Sequence, residues 1–483
     1  MTARRVGIDL HLPPLRARTA RGLGEALRDA IGDGMLVPGA RLPSARQLAA
    51  ELTLSKNTVA EAYAALAAEG VLRTEVGSGT WVADGAPLRR ALPDDRADRP
   101  RLDLWAGVAD ASDFPAAAWA RAVDDALHDP DAAAGYAPAG GDPILCAELA
   151  AYVGRTRGCV IAGATVITGN GFGELLAMSA RTLLARGVDT VAVEEYGHES
   201  HRRILAAAGM RLVPLPVDGD GAQVQRLGET GARAVLLTPA HQFPTGFALS
   251  DQRRQLLADW VERTGGIVLE DDYDGEFRYD RAVVGAFQPL APERVIYLGT
   301  ASKALSPALA VAWAVAPSGL AVDMVDNRGP AGAASSRLHE RTLAHFLAAH
   351  EYDRAVRRRR AVFRSRRELL AALLAEHAPR CRVVGHPAGL HCLVRLPDQA
   401  PVNGGRGSAP PETAATRVVD RARRAGIAVQ ALSEFRFAAS ADGAGQSHFG
   451  NAIVVGFGAA RPSAADESLR ALVDVIRRVV HAE

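Results

Sequence analysis

The sequence predicts a two-domain chain of the α/β class: a small helical head ending in a β-hairpin, then a large domain on a mostly parallel sheet. Three observations carry that expectation. At 483 residues the chain exceeds what one hydrophobic core usually serves. From Asp84 to about Arg101 it runs through a Pro-, Asp- and Arg-rich stretch, DGAPLRRALPDDRADRP, without apolar periodicity, which reads as a linker. Beyond Leu102, short continuous apolar runs alternate with helical patterns. The expected boundaries are therefore 12–83 for the head, 84–101 for the linker and 102–483 for the large domain, with a small subdomain from about 370 to 483.

Composition narrows the function classes. Apolar residues make up 48% and charged residues 23%, which describes a folded protein and not a disordered one. Net charge is +1, and residues 1–86 hold ten Lys or Arg against nine Asp or Glu. Any nucleic-acid affinity must then come from a few well-placed cations and from dimer avidity. Four cysteines stand scattered without metal-ligand spacing, so neither a disulfide framework nor a zinc site is expected. No apolar run reaches membrane-spanning length, and the expected location is cytoplasmic.

In the head, PSARQLAAEL (43–52) is an amphipathic helix with Ser44 as N-cap. A turn at Thr53–Leu54 leads to Ser55, the N-cap of KNTVAEAYAALAAEG. Val59, Ala62, Leu66 and Ala67 form its apolar stripe, while Lys56, Asn57 and Thr58 crowd the N-terminal turn and Gly70 ends the helix. VLRTEVGSGTWVA then reads as two short strands around a Gly-Ser-Gly turn, a β-wing. Helix, turn, helix and wing together form a DNA-reading arrangement whose second helix enters the major groove. The stretches GARLPSAR (39–46), SKNTV (55–59), LAAEG (66–70) and GSGT (77–80) resemble the GntR family of winged helix-turn-helix regulators. The resemblance implies DNA contacts by Arg41, Ser44 and Arg46, a recognition helix opened by Ser55, Lys56, Asn57 and Thr58, and a wing tip of Gly77, Gly79 and Thr80. Lys56 stands where that family more often has Arg, which alters the rigidity of a guanine contact.

The strand candidates of the large domain lie at 165–169, 190–195, 211–218, 234–239, 266–273, 295–302 and 310–317. Each holds a continuous apolar run, as in a sheet covered on both faces. The fifth ends in acidic residues, GIVLEDDY, and the sixth in VIYLGTASK, so a carboxylate and a lysine stand at two strand ends. That pairing suits pyridoxal phosphate (PLP) chemistry, in which an anion keeps the pyridine nitrogen protonated and a lysine amine forms a Schiff base with the aldehyde. Lys56 and Lys303 are the only lysines in an arginine-rich chain, so Lys303 reads as a position that needs an amine.

TPAHQFPTG (238–246), EDDYDGEFRY (270–279), GTASK (299–303) and HPAGLHCLVRLP (386–397) resemble the fold-type I aminotransferase-like domain of MocR-type transcriptional regulators. That family carries a GntR-type head in the same order. The resemblance implies a Schiff base on Lys303, a pyridine-nitrogen partner in Asp271 and a phenolic-oxygen partner in Tyr273. Gly171, Phe172 and Gly173 would offer backbone N–H groups to the phosphate, with Ser302 close by, and His241 would line the cofactor. Departures matter equally. Similar proteins read P-x-L-R-L-G after the lysine, and their Arg clamps the phosphate; here PALAVA puts Ala310 at that position. Losing one charge-assisted contact of about 1.5–3 kcal/mol weakens binding about tenfold to a hundredfold. EEYGH (194–198) replaces the common E-D-P-G-Y, so the ring stacked on the pyridine becomes His198 or a displaced Tyr196. After SHFGNAIVVGFG no carboxylate-binding Arg stands in place, although Arg461 follows closely. The arginine run from Arg354 to Arg367 reads as a solvated helix face over buried Val356 and Phe363, not as a second DNA site.

The resulting expectation is a DNA-binding regulator, not an enzyme, with no catalytic residues. It senses PLP or a PLP–amine adduct as effector, binds a double-stranded DNA operator and forms a homodimer. The alternatives are a regulator that has lost PLP and senses another metabolite, and a PLP-dependent aminotransferase.

Overall fold

The first helix of the head, α1 (Ala20–Gly32), starts at Thr19, whose hydroxyl accepts from the Gly22 amide. Leu23, Leu27 and Ile31 recur at four-residue spacing and are fully buried. A short strand, β1 (Arg41–Leu42), precedes α2 (Ala45–Leu52), where Ser44 and Gln47 form a reciprocal capping box. Thr53 takes a left-handed conformation at φ 54°, which turns the chain tightly into α3 (Lys56–Ala68), capped by Ser55. Two strands, β2 (Leu72–Glu75) and β3 (Gly79–Val82), complete a three-stranded sheet in the order β1-β3-β2. One expectation needs correcting. The buried stripe of α3 is Val59, Ala62, Tyr63 and Leu66, with Ala67 only partly covered. Tyr63 can sit inside because its hydroxyl donates to the Pro43 carbonyl at 3.0 Å.

The computed structural model describes residues 12, 15, 17–75, 79–84, 100–132, 135, 137–279, 284–328, 335–397, 413–437 and 449–481. Gly77 and most of the expected linker lie outside them. The chain divides into two units, Met1–Arg99 and Pro100–Glu483.

The larger unit opens with β4 (Leu102–Asp103), α4 (Ala116–His128) and α5 (Pro143–Arg157). Next come β5 (Ala164–Gly169), α6 (Phe172–Ala185), β6 (Thr190–Glu194), α7 (Glu199–Ala207) and β7 (Arg211–Leu215). A hairpin, β8 (Val217–Asp218) with β9 (Gly221–Ala222), and the short α8 (Leu227–Thr230) lead to β10 (Ala234–Leu237). After α9 (Asp251–Thr264) run β11 (Ile267–Asp271), β12 (Val295–Thr300) and β13 (Ala312–Pro317). All seven predicted strands join one sheet in the order β5-β13-β12-β11-β10-β6-β7. The central pairs are parallel, and β13 alone runs antiparallel to both neighbours. Both faces are buried, as the unbroken apolar runs require.

Helices α10 (Ser318–Asp326), α11 (Arg337–Ala348) and the long α12 (Glu351–His377) lead into the C-terminal part. There β14 (Arg382–Val384), β15 (His391–Arg395), α13 (Ala414–Arg424), β16 (Ile427–Ala428), β17 (Gln430–Ala431), β18 (Ala452–Gly456) and α14 (Ala465–Val480) follow. Strands β14, β15, β18 and β17 form an antiparallel sheet, while β16 pairs with β4. On α12, Val356 and Phe363 face inward as expected, but Arg359 and Arg366 are buried too. Arg359 donates to the Lys303 carbonyl at 2.9 Å and Arg366 to the Phe457 carbonyl at 2.6 Å. Part of the basic run therefore ties the fold together. Among the described residues, no helix is long and apolar enough to cross a membrane.

Candidate functional site

The parallel strands bring the site together. Asp271 closes β11 opposite Leu298 of β12, and Lys303 follows the end of β12 by three residues. At the end of β5, Gly171 takes φ +91° and ψ 166° as N-cap of α6, a backbone shape that favours glycine. Strand C-termini and a helix N-terminus thus meet at one edge of the sheet, where open α/β folds hold ligands.

Asp271 is 3% exposed, and its Oδ1 has no hydrogen-bond partner among the described residues. Burial and the charge of Asp272 push its carboxyl well above the usual range, while Lys303 opposes them. The Lys303 ammonium is held below its usual value by burial, against the pull of Asp271 and Asp274, and its Nζ donates to the Gly107 carbonyl at 2.7 Å. A partly desolvated amine releases its proton more readily and so becomes a better nucleophile. The orphaned Asp271 oxygen can accept a hydrogen bond from a protonated ring nitrogen, which compensates its burial. This donor and acceptor set fits PLP.

His198 stacks on Phe243 at 3.8 Å between ring centroids and 10° between planes. Burial lowers its imidazole to about 4, reinforced by the charges of Lys303 and Arg202, so it is neutral at physiological pH. Tyr196 packs edge-on against Phe449. A cavity of about 30 Å³ is lined by Glu194, His198, His201, Arg202, Phe243 and Asp271, among others. Glu194 accepts from the Thr238 hydroxyl at 2.6 Å, yet burial raises it to about 7. The Tyr273 hydroxyl donates to the His241 carbonyl at 3.2 Å and lies 3.2 Å from His241 Nδ1. His241 in turn meets Asp274 at 2.8 Å.

At the start of α6, next to Phe172 and Gly173, the Glu174 carboxylate accepts from the Asn170 amide at 2.6 Å and pairs with Arg328 at 3.0 Å. Ser302 Oγ and Thr300 Oγ1 are 3.0 Å apart. A side chain at Gly171 would come within 4.0 Å of the Ala310 carbonyl, so Ala310 borders this cup without bringing charge to it. Arg461 is exposed.

His201, Asp274 and His391, all near the site, had escaped the sequence reading. His201 stacks on Phe172 at 4.5 Å and its Nδ1 lies 3.6 Å from Asp271 Oδ2. It follows His198 by three residues at the start of α7, a spacing that is legible once the helix is placed. Asp274 and His391 sit inside quoted motifs, yet only the fold brings them beside His241.

On the head, Arg41, Ser44, Arg46, Ser55, Lys56 and Asn57 are exposed, while Thr58, Gly79 and Thr80 are partly buried. Arg41 belongs to β1 and not to a helix, and its guanidinium lies 5.7 Å from the Trp81 ring centre. The Ser44 and Ser55 hydroxyls are engaged as N-caps, accepting from Gln47 and Thr58 amides. That leaves Lys56 and Asn57 foremost at the N-terminal turn of α3.

Residues 19–82 match the family of bacterial regulatory proteins, gntR family, and residues 102–445 match aminotransferase class I and II. The chain is 31% identical over 442 residues to the HTH-type pyridoxine biosynthesis transcriptional regulator PdxR of Corynebacterium glutamicum, covering 90% of this chain and 91% of that one. It is 34% identical over 401 residues to the probable rhizopine catabolism regulatory protein MocR of Rhizobium meliloti, covering 78% and 81% respectively. Among solved structures, the kynurenine aminotransferase of Pyrococcus horikoshii, in complex with PMP, superposes with a TM-score of 0.65 at 20% identity, over 78% of this chain and 91% of that one.

Proposed function

Because the chain belongs to the aminotransferase class I and II family and carries a GntR-family head, the organisation of MocR-type transcriptional regulators, we propose that its large domain senses PLP, or PLP joined to an amine, and passes that signal to the head. The observation that carries this is a partly buried lysine amine whose charge acts directly on a buried carboxylate with an orphaned oxygen, Lys303 with Asp271. Bound PLP would supply an aldehyde reactive toward amines and a ring that accepts electron density. Lys303 would hold it covalently, and Asp271 would keep a proton on the ring nitrogen. Tyr273 would donate to the phenolic oxygen and His198 would cover a ring face, with His241 at the edge. Gly171, Phe172, Gly173 and Ser302 would receive the phosphate. The relative from Corynebacterium glutamicum is named for pyridoxine biosynthesis, which is coherent with a vitamin-derived effector.

Signalling requires the effector to bind one arrangement of the protein better than another. The partners are then a double-stranded DNA operator in the cytoplasm, a small-molecule effector and a second copy of the chain. Sustained transamination is not its role. True aminotransferases of this fold usually have Asn-Pro where Phe243-Pro244 stands, and here the Phe243 ring is stacked on His198. A second reading, in which the pocket takes another metabolite, draws on Ala310 and on the Glu174 carboxylate at the cup.

A gel-shift titration on DNA upstream of the chain's own gene, with and without PLP, tests the proposal. The expected result is a sequence-specific complex whose affinity changes with PLP in the wild type, and in Lys303→Ala an intact complex that ignores PLP. A complex with no sequence preference, or a PLP response unchanged in Lys303→Ala, would overturn it.

A further inference from the structure

We propose that His241, Asp274 and His391 form a binding site for a divalent first-row transition-metal ion beside Lys303. One ligand atom from each of the three lies within 4.8 Å of the others. Their exposures are 3%, 2% and 0%, so the cluster is shielded from bulk solvent. Two imidazoles and one carboxylate are a donor set that such ions take readily, leaving further positions for water or a small ligand.

A hydrogen bond between His241 Nδ1 and Asp274 Oδ2, at 2.8 Å, accounts for two of the three groups but leaves the third unexplained. Among the described residues neither ring nitrogen of buried His391 makes a well-formed hydrogen bond, and the Pro244 carbonyl offers it only a marginal one. Its ring centre lies 5.0 Å from that of His241 and 6.3 Å from that of Tyr273. A neutral imidazole carries one N–H and one lone pair, and leaving both unmatched in the interior is costly. A metal ion takes up the lone pair and also the Asp274 charge. Without PLP the Tyr273 hydroxyl donates to the His241 carbonyl and so steadies that residue.

The spacing also narrows the geometry. Donors 2.8 Å apart subtend about 85° at an ion roughly 2.1 Å from each, the edge of an octahedron or square pyramid. A tetrahedral site would need them about 3.4 Å apart. The His241–Asp274 pair therefore suits Ni²⁺ or Co²⁺, with His391, its donor within 4.8 Å of both, drawing inward to complete the set. It does not depend on PLP binding.

The test is calorimetric titration of Ni²⁺ into full-length, tag-free, chelator-treated protein, with bound metal counted after equilibrium dialysis. One ion per chain is expected in the wild type. His391→Ala and Asp274→Asn should each weaken binding tenfold to a hundredfold or more. Lys303→Ala should still take up one ion, which separates this site from the cofactor reading. Thermal melting checks each variant, and His391→Gln, which preserves more volume, replaces His391→Ala if that chain does not fold. No stoichiometric uptake by the wild type, or equal uptake by the His391 and Asp274 variants, overturns the proposal.

Discussion

Replacing Ala310 with Arg should tighten PLP binding, and the structure bounds the gain. The cup at the start of α6 has two anion-attracting features and one that opposes them. The helix N-terminus contributes about 0.3–1 kcal/mol toward an anion. Arg328 is present, but at 3.0 Å it is spent on Glu174. The Glu174 carboxylate, 2.6 Å from the Asn170 amide, competes for an N–H group at the edge of the cup. Among the described residues at the cup, the one cation named, Arg328, is thus not free to meet a phosphate. A guanidinium at position 310 adds a charge-assisted hydrogen bond of about 1.5–3 kcal/mol, about tenfold to 150-fold in affinity. Position 310 is exposed, so solvent screening puts the gain near the lower end, about tenfold. The backbone there already has φ 49°, and the left-handed cost is similar for Ala and Arg, so the fold should be unharmed. Fluorescence titration with PLP measures Kd for wild type, Ala310→Arg and the uncharged Ala310→Gln. If Ala310→Arg binds within twofold of both others, the phosphate does not lie at this cup and the reasoning fails.

Two further outcomes follow from other parts of the molecule. Burial raises the Glu194 carboxyl from about 4.5 in the unfolded chain to about 7 when folded, so the folded state holds its proton more tightly. Its contribution is most favourable below about pH 4.5 and is lost as pH rises to about 7, a change of about 3 kcal/mol. Urea melts at pH 5 and pH 7.5 should show that fall in the wild type and a flatter profile in Glu194→Gln; equal slopes would count against the assignment. On the head, Lys56→Ala should weaken operator binding and lower the salt-dependence slope by about one, whereas Lys56→Arg should keep the slope and shift base preference at one position. Binding isotherms at several salt concentrations read both; an unchanged slope in Lys56→Ala would remove Lys56 from the interface.

The seven strands of the large sheet were legible because each holds a continuous apolar run, the mark of a doubly covered sheet. Their direction was not. β13 reverses against both neighbours, and side-chain composition carries no sense of strand direction. In the head, the N-caps Ser44 and Ser55 were readable from their place before an apolar run, but Tyr63 was missed because a phenol counts as inward-facing only once Pro43 is known to accept its proton. Arg359 and Arg366 looked solvated because a charge run usually is; their partners are a backbone carbonyl of the Lys303 residue and one of Phe457, both distant in sequence. Lys303 stood out through rarity and Asp271 through its place at a strand end. His201 needed α7 to be placed first, and the grouping of His241, Asp274 and His391 comes from the segments after β10 and β11 meeting the start of β15 in space, which no spacing rule contains.

The most direct test of the central proposal is an absorbance spectrum of the purified full-length protein with added PLP, before and after borohydride reduction, alongside Lys303→Ala. The account predicts a visible band in the wild type that borohydride fixes onto Lys303, read by mass spectrometry of the peptide, and no such band in the variant. No band at generous PLP, or a band that persists unchanged in Lys303→Ala, would contradict it.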